Sequence, residues 1–298
     1  MLNALIARSL PIVPKPVVRT VAKRYIAGDS LSDAVRVAQE LAAKGASTTI
    51  DVLGEFVTSR ERASRETAAS RDVLGAIADY RLPSYLSVKP TSLGLDVDNA
   101  FGYANIRTLV EFAAGAGVFV RMDMENSPYT TATLDYYRRL RAEGFDNVGV
   151  VIQAYMRRSE DDVRALLPLA PSVRLCKGIY VEDPAIAYKN PDEIRANYKK
   201  LLRILTDGGA KTGIATHDDA LIADAETLLA EQPSARETHE FQMLLGVREE
   251  RRNALLRAGQ RVRIYVPFGE DWYGYSTRRL KENPQIAWYV LKAMFVRS

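Results

Sequence analysis

The chain has 298 residues, 41 of them basic and 37 acidic for a net charge of +4, with 47% hydrophobic and 26% charged residues, 18 Gly and 13 Pro. This composition excludes disordered and fibrous proteins, and the near-even charge gives no reason to expect a nucleic-acid partner. A single cysteine, Cys176, excludes an internal disulfide and a thiolate metal site and fits a reducing compartment, while no apolar run approaches the ~18 residues that span a bilayer.

Between Met1 and Gly28 the chain carries Arg8, Lys15, Arg19, Lys23 and Arg24 and no acid. The segment reads either as a solvated helix packed on the domain or as a targeting or membrane-surface segment. Residues 1–45 are expected to form an N-terminal helical arm and 46–298 the catalytic domain. Eight β-rich runs follow in order: 48–53, 85–89, 118–124, 148–155, 172–177, 211–216, 239–243 and 261–266. Between them lie stretches with apolar residues three and four apart, such as ANIRTLVEFAAGAG and ADAETLLAEQ. Eight strand–helix units predict a (β/α)8 barrel. A doubly wound open sheet is the competing architecture, but it usually announces a glycine-rich phosphate loop, and neither G-x-G-x-x-G nor a P-loop occurs.

A barrel builds its active site at the carboxyl ends of its strands, and there this sequence is polar. The second strand ends at Lys89 and the third at Asp123 and Glu125; the fourth includes Gln153 and Tyr155, and the fifth carries Arg174 and Lys177 with Tyr180 beyond. Thr216, His217 and Asp218 follow the sixth strand, Glu240 and Gln242 belong to the seventh and Tyr265 to the eighth. A charge inside a barrel is costly unless paired, so Arg174 requires an anionic or hydrogen-bonding partner. Singly, Lys89 reads as a loop lysine, Asp123 as a cap and His217 as a surface imidazole; it is their joint position that points to a site. Only two histidines, His217 and His239, are present, in no H-x-x-x-H or HExxH pair, so a histidine metal site is disfavoured, and no G-x-S-x-G supports a serine nucleophile.

Near the carboxyl end, DWYGYSTRRLKEN places Tyr275, Arg278 and Glu282 along one side of a helix, with Arg279 about 100° around from Arg278. Two guanidinium forks over one flank suit a carboxylate. An exposed helix with an i to i+4 ion pair is the plain alternative. With Lys89 added, the pattern suits a small anionic substrate.

These residues resemble the FAD-dependent proline dehydrogenases. The resemblance runs through RYIAGDSLSDA, SVKPTSLGL, MDMEN, VIQAYMRRS, VRLCKGIYVED, IATHDD and HEFQMLLGV to a Y-x-x-R-R-x-x-E-N signature read from Tyr275 to Asn283. It implies a distorted (β/α)8 barrel with the final helix over the mouth, and oxidation of L-proline to Δ1-pyrroline-5-carboxylate with hydride transfer to FAD. It further implies that Lys89, Arg278 and Arg279 bind the carboxylate, that Tyr180, Leu244 and Tyr265 wall the ring, and that Asp123 orders the lysine end. Arg174, Gln153, Lys177, Gly178, Thr216, His217 and Glu282 are implied in cofactor binding, with Arg174, Lys89 and Asp123 as the catalytic group. The family passes electrons to membrane quinone, which implies a cytoplasmic protein peripheral to the inner membrane; a homo-oligomer is compatible with this. IAWYVLKAMFVRS reads equally as an apolar membrane contact or as a helix closing the barrel or meeting another subunit. The aldehyde dehydrogenase fused in some relatives has no room here, so a monofunctional enzyme is expected.

Two positions depart from the family pattern: Ile179 stands where alanine is usual, and Pro90 where leucine is commoner. Ile179 is expected to tighten the ring pocket. Two rival readings remain, a flavin enzyme acting on hydroxyproline or another cyclic amino acid, and a flavin-free barrel serving as a carboxylate-binding or lyase scaffold.

Overall fold

Each β-rich run becomes a strand because alternate side chains have two different surroundings to satisfy, a helical layer outside and a narrow interior. The computed structural model describes residues 19, 23–54, 56–273 and 275. Among these, β1 (Ser47–Val52), β2 (Ser84–Val88), β3 (Val120–Met122), β4 (Val148–Gln153), β5 (Ser172–Cys176), β6 (Lys211–Ala215), β7 (His239–Leu244) and β8 (Val262–Phe268) run parallel and close in sequence order. The seam is the β8–β1 pairing, in register from Ser47↔Arg263 to Val52↔Phe268. The expected barrel is the observed one. Its boundaries differ by two residues at an end in three strands: β3, expected over 118–124, is three residues long, β4 stops at Gln153, and β8 runs on to Phe268.

The helices are α1 (Leu31–Ala42), α2 (Arg60–Asp79), α3 (Asn99–Gly115), α4 (Ser127–Ala142), α5 (Ser159–Leu166), α6 (Pro191–Asp207), α7 (Asp219–Glu231) and α8 (Glu249–Arg257). Side-chain oxygens accept backbone N–H groups at several of their starts, as Ser59 does for Arg62, Asp98 for Phe101 and Asp218 for Ala220. Outward strand residues such as Ile50, Leu86, Val120 and Ile264 belong to the same buried cluster as Leu74, Ile106, Leu134 and Leu205 of the helices. Each such side chain contributes roughly 1.5–3 kcal/mol by leaving water. α1 begins with a reciprocal Ser30–Asp33 capping box and buries Ala34, Val35, Ala38 and Leu41. It packs on β1 and β8, the groove that the helix after β8 fills in a regular barrel.

The inward face is polar rather than filled with branched apolar residues. Arg263 donates from Nε to Glu240 Oε1 at 2.6 Å and from Nη1 to the Thr48 carbonyl at 2.6 Å, with its guanidinium 3.5 Å from the Tyr85 ring centroid. Arg121 donates to the Val150 and Ser172 carbonyls and to Ser172 Oγ. Burial, with the positive charge of Arg174 nearby, pulls its guanidinium down to about 9. Two glycines make room for these long side chains. A Cβ on Gly149, which pairs with Arg121, would lie 2.3 Å from Arg121 Nη1, and one on Gly213 would lie 2.3 Å from Gln242 Nε2. Among the described residues no helix is long and apolar enough to cross a membrane.

Candidate active site

At the carboxyl ends of the strands a cavity of about 740 Å³ opens, lined among others by Lys89, Asp123, Arg174, Lys177, Leu244 and Tyr265. Its deepest wall is one connected array. Arg174, on β5, crosses the barrel: Nη1 donates to Asp123 Oδ1 at 2.7 Å and Nε to Gln242 Oε1 at 2.7 Å. The anionic partner that its burial demanded is therefore Asp123, from the end of β3. Asp123 also accepts from Ser87 Oγ at 2.9 Å and from Tyr265 Oη at 2.9 Å. Burial and the nearby carboxylates of Asp123 and Asp51 hold the Tyr265 phenol well above its usual value, so it remains a donor.

Lys89 is no solvated loop lysine. Its side chain is 11% exposed, and Nζ donates to Asp51 at 2.8 and 2.9 Å and to Tyr265 Oη at 3.4 Å, with Asp123 Oδ2 3.8 Å away. Pro90 follows it in the chain without preventing this placement, and the Pro90 carbonyl accepts the N–H groups of Leu93 and Leu95 in the following turn. Burial pushes the Asp51 carboxyl up, Lys89 pulls it down and Asp123 pushes it up again, leaving it at about 6.

The rest of the wall follows β4 to β7. Gln153 is buried and donates from Nε2 to the Glu125 carbonyl at 2.9 Å. Beyond β5, Lys177 meets Asp218 at 3.2 Å; Arg195 joins the same carboxylate at 2.9 Å. Gly178 has φ +109, and a Cβ there would lie 2.1 Å from the Tyr155 ring, so the loop that carries Lys177 and Tyr180 can follow this path only with glycine at 178. Thr216 Oγ1 accepts the Asp218 N–H, and His217 Nε2 accepts the Leu244 N–H at 3.0 Å, which leaves the imidazole proton on Nδ1. Tyr180, Leu244 and Tyr265 all line the cavity, as does Ile179, which is 42% exposed and so stands at the rim.

The structure thus brings together Lys89, Asp123, Gln153, Arg174, Lys177, Gly178, Tyr180, Thr216, His217, Leu244 and Tyr265. Arg278, Arg279 and Glu282 lie outside the described residues; Tyr275 of the same signature is buried and lines the cavity. Other polar residues noted at the strands have different places. Glu240 pairs with Arg263 inside the barrel, and Tyr155 fills the space against Gly178. Glu125 accepts the Thr91 N–H at 2.9 Å and Thr91 Oγ1 at 2.5 Å, tying the β2–α3 and β3–α4 loops together. Asp51, Thr49 and Ser87 escaped the sequence reading. The one available signal for Asp51 was an acid within an otherwise uncharged strand, TTIDVL.

A family model described as Proline dehydrogenase matches residues 34–290. Proline dehydrogenase 1 of Bacillus subtilis (strain 168) is 38% identical over 273 residues, 92% of this chain and 90% of that protein. The proline dehydrogenase of Deinococcus radiodurans is 33% identical over 277 residues, 92% of this chain and 89% of that protein. Among solved structures, proline utilization A (PutA) from Bdellovibrio bacteriovorus inactivated by N-propargylglycine matches with a TM-score of 0.83 at 26% identity, over 89% of this chain and 33% of that chain. The chain thus spans about a third of that PutA's length. A closed parallel barrel, a polar mouth built from its strand ends, and relatives matched over nine-tenths of their lengths agree, and the chain belongs to the proline dehydrogenase family.

Proposed function

We propose that this protein oxidises L-proline to Δ1-pyrroline-5-carboxylate, using FAD as the hydride acceptor and passing the electrons on to a membrane quinone. The observation that carries the reading is the Lys89–Tyr265–Asp123–Arg174 array on one wall of the cavity, in a chain that belongs to this family. The names of the relatives support L-proline rather than hydroxyproline as substrate.

The substrate brings a carboxylate and a small apolar ring. The Lys89 ammonium would take the carboxylate, joined by Arg278 and Arg279. Leu244, Tyr180 and the ring of Tyr265 would wall the pyrrolidine and exclude water from it. Asp123 orders this end by holding Tyr265 and Arg174 at once. Because Arg174 is tied at Nε and at Nη1, its charge is fixed in place before any ligand arrives.

The donor set fits a long anionic cofactor. Besides Arg174 the cavity is lined by Lys177, Thr216, His217 and Arg248, which follow β5, β6 and β7, and by Gly178, which brings bare backbone to it. Gln153, Arg174, Lys177, Gly178, Thr216 and His217 would hold FAD, with Glu282. When bound, FAD supplies the two-electron acceptor for the hydride that leaves the ring carbon beside nitrogen. No covalent nucleophile is needed, and burial pushes the Cys176 thiol up to about 12, which keeps it protonated near neutrality.

An anaerobic visible spectrum of the FAD-loaded protein, recorded before and after L-proline, tests the reading. Loss of the oxidised flavin band is the expected result. A folded, flavin-loaded protein whose band stays unchanged would remove L-proline as the substrate, and a protein that takes up no flavin would remove the cofactor.

A further inference from the structure

Asp51 has no part in the reaction as described so far. The alternation of β1 turns Thr49 and Asp51 inward, and Asp51 is 1% exposed. It is not among the residues that line the cavity, whereas Lys89, Asp123 and Tyr265 are. Both Asp51 oxygens lie within hydrogen-bond distance of Lys89 Nζ, at 2.8 and 2.9 Å, while Asp123 lies 3.8 Å from it. A lysine stem has many rotamers of similar energy, and a fixed carboxylate beneath the ammonium selects one of them. The dependence runs both ways, because a carboxylate buried this deeply stays charged only beside a cation.

We propose that Asp51 is a positioning residue: without touching the substrate, it holds the Lys89 ammonium at the barrel mouth in the orientation that receives the substrate carboxylate. The inference rests on the part given to Lys89 above. Asp51 belongs to β1, the strand that closes the barrel against β8, so it is anchored from both sides by the ladders to β2 and β8. Tyr265, directly across that seam from Thr49, gives the ammonium a second acceptor at 3.4 Å. Its role requires Lys89. In a Lys89→Met protein the Asp51 carboxyl loses the charge that pulls it down and takes up a proton, so Asp51→Asn in that background changes little.

A double-mutant cycle read as KM and kcat separates these effects. Asp51→Asn is expected to raise KM for L-proline about tenfold or more, on the scale of a lost charge-assisted hydrogen bond, with kcat falling far less. The affinity for pyrrolidine, the same ring without the carboxylate, should stay within about twofold. In the Lys89→Met background the further change of Asp51→Asn should also stay within about twofold. An Asp51→Asn protein that loses proline and pyrrolidine alike, or that shows its full loss on top of Lys89→Met, overturns the positioning role alone. A Lys89→Met protein with unchanged KM for L-proline overturns both this role and carboxylate binding by Lys89. Should Asp51→Asn fail to fold, Asp51→Ser removes the same charge with less bulk and is held to the same outcomes.

Discussion

The two faces of the barrel wall are built on opposite plans. Outside, Ile50, Leu86, Val120 and Ile264 meet the helices through many interchangeable apolar contacts, each worth little alone. Inside, Arg174, Arg263, Asp123, Glu240 and Lys89 are each tied to a few named partners at hydrogen-bond distance. The outer layer supplies stability that is spread over many residues and tolerant of repacking. The inner layer gives up apolar filling for groups whose orientation is fixed, and loses heavily when a partner is removed. A site that must hold charge still before its ligand arrives needs the second plan.

Changes to each face break or sharpen that contrast. Arg263→Met strands the Glu240 carboxylate inside the barrel and is expected to cost ~3–5 kcal/mol of stability by denaturant unfolding. Leu134→Ala, in the outer layer, is expected to cost ~2–5 kcal/mol through its cavity, yet flavin content and turnover per folded molecule should stay unchanged. A matching loss of turnover would show that the two layers are mechanically coupled. Gly213→Ala pushes a methyl against Gln242, and ~1–3 kcal/mol is expected from the overpacking. Since Gln242 holds Arg174 Nε, turnover should fall along with stability in this variant.

The smallest effect is expected at the rim, where a pH titration reads it. Burial alone would raise the Asp218 carboxyl, but Arg195 and Lys177 more than offset this and hold it below its usual 3.8. A lowered folded value means that the unfolded chain binds more protons in this window. The contribution is therefore fully present above 3.8 and is lost as pH falls through the folded value. Melting temperatures taken downward from neutral pH should fall less steeply for Asp218→Asn than for the unaltered protein. Parallel curves would remove Asp218 as a contributor to acid sensitivity.

Part of this was legible in the residues. Eight β-rich runs separated by helical spacing announced the barrel, because periods of two and of 3.6 are local properties. Arg174 announced its own need for a partner, because a lone buried guanidinium is too costly to persist. The identity of that partner was not legible, since Asp123 comes 51 residues earlier and meets Arg174 only across the barrel. Asp51 was missed for the same reason: a lone acid in TTIDVL reads as one polar position of an alternating strand until the register with β2 and β8 places Lys89 above it. Glu240 went the other way, sharing a strand with Gln242 but spending its charge on Arg263 inside the barrel.

By itself the sequence determined the number and order of the strands, the polar character of their ends and the family resemblance, all of which follow from residue type and spacing along the chain. Only the tertiary structure decided which charges face each other and where they find room: that Lys89 is held by Asp51, that Asp123 joins Arg174 to Tyr265, and that Gly149 leaves space for Arg121 and Gly213 for Gln242. Pairing between charges depends on strand register and barrel closure, and these are fixed by the sum of contacts around the whole ring rather than by any one segment.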